Sequence, residues 1–150
     1  MSAPLAFLDT SVFLTALGEH PNTSACRALL RRAANGHLSI HTAAECLQEV
    51  VFHRMRVGPR APAVAHLRAI RDLCVVHPMD DLVLDRATDL LASTQARGRD
   101  AFIAATALLA GFDAVVTTHD RFVEVPGLRR VHPRDVAARR ARQPFRTRRR

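Results

Sequence analysis

The chain has 150 residues, 48% of them hydrophobic, enough for one enclosed core, which excludes both a fully disordered polypeptide and a two-domain enzyme. Its formal charge of +8 comes from 22 basic and 14 acidic residues, and every basic residue is an arginine. Seven of the arginines (Arg139, Arg140, Arg142, Arg146, Arg148, Arg149 and Arg150) crowd into the last twelve residues, and the other 15 nearly balance the 14 acids, so the excess charge describes a tail and not a basic face. That tail either holds nucleic acid by charge or is a solvated extension without a partner.

In chain order, residues 4–8 (PLAFL) form a short apolar run typical of a buried strand. Asp9-Thr10-Ser11 then suits the start of a helix over 12–17, closed by Gly18. A second helix is predicted over 25–34, where Cys26, Leu29, Leu30 and Ala33 share one face before Asn35-Gly36 ends it. A second strand follows at 38–41. Thr42 is placed to cap a helix over 43–57 that stops at Gly58-Pro59. Residues 61–73 read as an amphipathic helix, 74–77 as a third strand and 80–96 as a long helix with acids in its first turn. Gly98 precedes a helix over 101–110, then 113–117 (DAVVT) reads as a fourth strand, 129–132 as a fifth, and residues 134–150 as tail.

Strands alternating with helices predict an α/β sandwich, a short parallel sheet with helices on both faces. Cys26, Cys46 and Cys74 are an odd number, far apart, without zinc-type spacing, which fits a reduced interior. The apolar stretch over 3–17 lacks a basic leader and contains Asp9, and no other run approaches the ~18 apolar residues of a membrane span, so a soluble, cytoplasmic protein is expected.

Ligands of an open parallel sheet bind beyond the carboxyl ends of its strands. Asp9 follows the first strand, Asp120 comes soon after the fourth, Glu45 and Glu49 lie early in the helix after the second, and Asp100 stands near a helix start. Each has an ordinary structural alternative: Asp9 and Asp100 as helix caps, Asp120 in a turn, Glu45 or Glu49 as solvated surface. If several converge, two carboxylates ~4 Å apart repel by roughly 4 kcal/mol at an effective dielectric near 20. Protonation offsets this repulsion, as does a hard divalent cation such as Mg²⁺ or Mn²⁺.

The segments LDTSVFLTAL (8–17), TAAECLQEVVFHR (42–54), GRDAFIAATALLAGFDAVVTTHDRF (98–122) and VPGLRRVHP (125–133) resemble the PIN-domain ribonucleases, and more narrowly the VapC-type toxins of bacterial toxin–antitoxin pairs. The likeness spans residues 5–133, the expected nuclease domain being 1–133. It implies a PIN-like fold, an Mg²⁺- or Mn²⁺-dependent endoribonuclease activity on RNA, an antitoxin partner and a homodimer. Residue by residue it implies that Asp9 and Asp100 are the first and third acids and metal ligands. LQEVV selects Glu49 as the second acid, with Glu45 one turn earlier able to share or replace it. The fourth position is Asp120, a further metal ligand, if the loop is one residue shorter than usual, or His119 if it is not. Arg97 and Arg99 are either phosphate-binding residues or solvated helix-end arginines. Two other functions stay open: a phosphohydrolase of the haloacid-dehalogenase type using Asp9 as nucleophile, although Ser11 stands where that pattern has a second Asp, and a non-catalytic nucleic-acid-binding module built on the arginine tail.

Overall fold

A computed structural model describes residues 2–138, the side chains of residues 137 and 138 excepted. Strand β1 (Leu5–Phe7) leads into α1 (Thr10–Leu17) and α2 (Thr23–Ala34); β2 (Ser39–Ala43) leads into α3 (Ala44–Val57) and α4 (Arg60–Leu73); β3 (Cys74–His77) leads into α5 (Asp81–Ser93) and α6 (Gly98–Leu109). Then come β4 (Ala114–Val116), β5 (Arg129–Val131) and α7 (Pro133–Ala138). β1 pairs with β2 and β2 with β3, all parallel, while β4 pairs in parallel with β5. A parallel bridge between Leu8 and Val116 joins the two groups, giving the order β3-β2-β1-β4-β5. The chain winds one way from β1 through β2 to β3 and the other way from β1 to β4. The carboxyl end of β1 therefore lies where strand order reverses, the place where such sheets open a crevice.

Side chains alternate across each strand and split the interior in two. Ala6, Leu8, Ile40, Ala114 and Val116 face a core shared with Val12, Phe13, Leu29, Val50 and Ile70 of α1 to α4. Phe7, Ala43 and Val115 face the opposite core with α5 and α6. In α6 Ala101, Ala104, Ala105 and Ala107 are buried, so small side chains let this helix press closely on the sheet. The predicted α/β sandwich is the observed one.

Several local expectations are corrected. Thr42 does not cap α3: the N-cap is Ala43, and the buried Thr42 hydroxyl donates to the Leu8 carbonyl at 2.8 Å, tying β2 to the end of β1. Helix α6 begins at Gly98, not at 101, which brings Asp100 into its first turn. The chain after 133 continues as α7, with Val136 only 3% exposed and its carbonyl accepting from Arg32 Nη1 at 2.9 Å, so the expected boundary at 133 falls within a docked helix. The arginines at 139–150 lie outside the described residues. Phe52 is 65% exposed, unlike the core phenylalanines Phe7, Phe13, Phe112 and Phe122. All three cysteines are buried and free, and burial pushes their thiols up to about 11 for Cys26 and about 12 for Cys46 and Cys74, which makes them inert fillers. No helix among the described residues is long and apolar enough to cross a membrane.

Below the sheet edge His41 and His77 share a hydrogen bond, Nδ1 to Nε2 at 2.8 Å, with Phe7 and Phe112 against their rings. A pair bonded in this way needs one neutral ring as acceptor. Burial holds both imidazoles below the ordinary value of 6.5, and the neighbouring charge of His77 lowers His41 further. The folded chain thus binds fewer protons than the unfolded one, and this contribution to stability, full above pH 6.5, is lost as the pH falls below it. Urea melts at pH 7.5 and 5.5 are expected to show lower stability at the acid end, with the difference reduced in a His41→Gln/His77→Gln chain. Equal slopes in both chains would rule the pair out as the cause.

Candidate active site

Asp9 occupies the N-cap position of α1 by its backbone, yet its carboxylate makes no capping bond. Its Oδ2 instead accepts from the Ser11 hydroxyl at 2.9 Å and from the Thr117 hydroxyl at 2.7 Å. These hydroxyls also accept from the loop after β4: Ser11 Oγ from the Thr118 amide and Thr117 Oγ1 from the His119 amide, both at 3.0 Å. The Asp9 amide donates to the Val116 carbonyl at 2.9 Å. A 5% exposed carboxylate is thereby fixed at the switch point, and the 117–119 loop is bolted to it. Its Oδ1 accepts no hydrogen bond from the described residues, so a buried carboxylate keeps an uncommitted oxygen.

An open cleft of about 340 Å³ lies over this point, lined by Asp9, Ser11, Glu49, Arg97, Arg99, Asp100 and His119, among others. Three segments far apart in sequence therefore present carboxylates to one space: the end of β1, the middle of α3 and the first turn of α6. Glu49 Oε1 forms an ion pair with Arg99 Nε at 3.1 Å. Burial raises its pKa, Arg99 opposes the rise, and Asp9 and Asp100 reinforce it. Asp100 is raised by burial first and by Asp9 second, with His119, Arg97 and Arg99 pulling the other way. Asp9 thus acts on both Glu49 and Asp100, and Asp100 on Glu49, as charges sharing a site do. Among the described residues no three acid, His or Cys side chains are already drawn together as a ligand set; the carboxylates line an open cleft.

Two expected residues do not line the cleft. Asp120 is exposed, its carbonyl accepts from Arg130, and its charge acts on His132, whose lowered pKa it partly restores. The loop bolted through Thr117 presents His119 to the cleft in its place. Glu45 lies one turn before Glu49, but both its carboxylate oxygens are buried and make no hydrogen bond among the described residues, and burial raises its pKa. Ser11 and Thr117 were not anticipated. The signals that could have found them are a hydroxyl two residues after Asp9 and another at the last position of DAVVT. Because Ser11 donates to Asp9, the slot where a haloacid-dehalogenase site has its second acid serves here to anchor the first.

The PIN domain family model matches residues 6–128. The chain belongs to the PIN domain family. Among curated proteins none matches it. Among solved structures, the PIN domain is similar to DNA-bound VapBC from Salmonella typhimurium, with a TM-score of 0.69 and 20% identity over 87% of this chain and 98% of that one. VapBC-1 from nontypeable Haemophilus influenzae gives a TM-score of 0.67 at 10% identity over 86% of this chain and 98% of that one. VapC20 of Mycobacterium tuberculosis, a sarcin-ricin loop cleaving toxin, gives 0.64 at 19% identity over 79% of this chain and 92% of that one. These likenesses establish a shared fold.

Within this PIN domain, Thr117 is expected to matter although it cannot react. Partners that orient a site carboxylate typically cost 10–100-fold when removed. Thr117→Val takes one of the two hydroxyl donors from Asp9 Oδ2 and leaves the His119 amide unpaired. Catalytic turnover is expected to fall about 10–100-fold, with Thr117→Ser restoring most of it. An active valine variant would show that the hydroxyl is dispensable.

Proposed function

We propose that this PIN domain is a metal-dependent endoribonuclease and the toxin of a toxin–antitoxin pair, acting in the cytoplasm, restrained by a cognate antitoxin and assembled as a homodimer. The observation that carries the nuclease reading is the convergence of Asp9, Glu49 and Asp100 on one cleft at the switch point of the sheet. The VapBC structures that share its fold, and VapC20, a sarcin-ricin loop cleaving toxin, support the toxin and antitoxin parts.

The donor set fits a hard divalent cation. The cleft offers carboxylate oxygens and no thiolate, and Mg²⁺ commonly takes one or two carboxylates while keeping several waters. Asp9, through its uncommitted oxygen, and Asp100 would hold it; Asp120, also weighed as a ligand, lies outside the cleft lining. When bound, such an ion stabilises charge on a phosphodiester and lowers the pKa of water. The remaining steps belong to the chain. Glu49, paired with Arg99, accepts the proton of the water that attacks phosphorus in line with the leaving 3′-oxygen, which takes a proton from solvent, giving 5′-phosphate and 3′-hydroxyl ends. His119 lines the same cleft and is placed to contact the phosphate.

Purified full-length protein incubated with single-stranded RNA and Mg²⁺ is expected to cut internally and to stop on addition of EDTA. Mapping of the new 5′ ends reads the site of cleavage, and the same mapping in cells after induced expression identifies the target. Uncut RNA under every divalent ion, or equal cutting in EDTA, would sink the reading. Tail and nuclease are separated by truncation after Ala138, because truncation after Pro133 would delete the buried Val136.

A further inference from the structure

The cleft that must receive a polyanion is walled by three carboxylates, and the repulsion this sets up is only partly relieved by one divalent ion. Two cations of the chain stand in the same walls. Arg97 is the N-cap residue of α6 and is exposed; its carbonyl accepts from the Ala101 amide, while its guanidinium makes no hydrogen bond or ion pair with the described residues. Arg99, 71% exposed, is bound through Nε alone to Glu49, so Nη1 and Nη2 keep their donors. A guanidinium anchored on one edge presents the other as a fork, the geometry that binds phosphate with two parallel bonds. Both arginines line the same cleft as Asp9, Glu49 and Asp100, which places their charge beside the carboxylates.

We propose that Arg97 and Arg99 form a phosphate grip for the RNA strand: Arg97 as a free arm on one phosphate, and Arg99, braced by Glu49, on the phosphate nearest the cut. This inference rests on the ribonuclease reading and adds to it which residues hold the substrate. It also assigns the two arginines different kinetic signatures. Arg97 contributes to binding of the strand alone, so Arg97→Gln raises KM and leaves kcat near that of the parent. Arg99 also positions Glu49, so Arg99→Gln lowers kcat as well as raising KM, and Arg99→Lys restores the binding part by keeping the charge.

The test measures binding of a short fluorescein-labelled single-stranded RNA to full-length protein carrying Asp100→Asn to prevent cutting, as a function of salt. Each phosphate neutralised contributes about 0.7 to the slope of log K against log salt for single strands. Arg97→Gln and Arg99→Gln are each expected to weaken binding about tenfold and to flatten the slope by about 0.7, the double variant by about 1.4. The terminal arginines contribute equally to parent and variants, so the difference reports the cleft. An unchanged slope in the double variant, with the parent still cutting RNA, overturns the grip and leaves the ribonuclease reading standing. A parent that neither binds nor cuts RNA overturns both. Melting temperatures of the variants serve as the control, since a fold defect would lower them and a lost phosphate contact would not.

Discussion

Replacing Asp100 by Asn is expected to lower RNA cleavage by more than about 100-fold without loss of the fold, because even partners one shell further out typically cost 10–100-fold. The structure makes this a clean substitution. Asp100 stands in the first turn of α6, half-buried, and neither caps the helix nor takes part in any side-chain hydrogen bond among the described residues. The first turn of a helix favours negative charge by a few tenths of a kcal/mol up to about 1 kcal/mol, so its loss is small beside the effect on activity. Asp9→Asn is expected to be as inactive but less informative. Asp9 Oδ2 accepts from two hydroxyls and helps to hold the 117–119 loop, and an amide there disturbs both. Gel assays of RNA cutting, with circular dichroism of each variant, decide the matter. An Asp100→Asn chain that cuts like the parent would remove the acid cluster from the reaction altogether.

What the sequence disclosed followed from how local each determinant is. The apolar run over 4–8 and the shared face of Cys26, Leu29, Leu30 and Ala33 are properties of single segments, and they predict a buried strand and a core-facing helix before any tertiary contact is known. Asp9 and Asp100 were legible for a related reason, each standing at a fixed offset from a strand end or a helix start, whereas Glu49 was selected over Glu45 by the likeness of LQEVV to the family pattern. The hydroxyls of Ser11 and Thr117 were not legible. The Thr117 to Asp9 bond spans 108 residues, and nothing near either residue announces it. The alternative between His119 and Asp120 turned on one residue of loop length, and the loop register comes from the Thr117 and Ser11 anchors on the 118 and 119 amides. Helix α7 has six residues and is held by a core contact through Val136 and by Arg32, so its local pattern was too short to separate from the tail beyond it. Glu45 and Glu49 share a helix and differ by one turn; only packing against the sheet determines which of the two opens into the cleft.

Magnesium is expected to raise the melting temperature of the parent chain and to leave that of Asp100→Asn nearly unchanged. A ligand that binds only the folded state at 100 times its dissociation constant stabilises it by about 2.7 kcal/mol, and a chain of this size gains roughly 2–4 °C per kcal/mol, so a rise of about 5–10 °C is expected. In EDTA the order of the two chains inverts. Burial and the neighbouring Asp9 hold the Asp100 carboxyl above the ordinary 3.8, so the folded state retains a proton that the unfolded chain releases, and stability falls as the pH rises through that range. Above that range the deficit is complete, and removing the charge removes it, so Asp100→Asn melts higher than the parent without metal. A crossing of the two melting curves with added Mg²⁺ is the signature of carboxylates gathered for a cation and not for the fold. Parallel shifts in both chains would mean that the ion binds elsewhere, and the assignment of Asp9 and Asp100 as its ligands would fail even if RNA cleavage were observed.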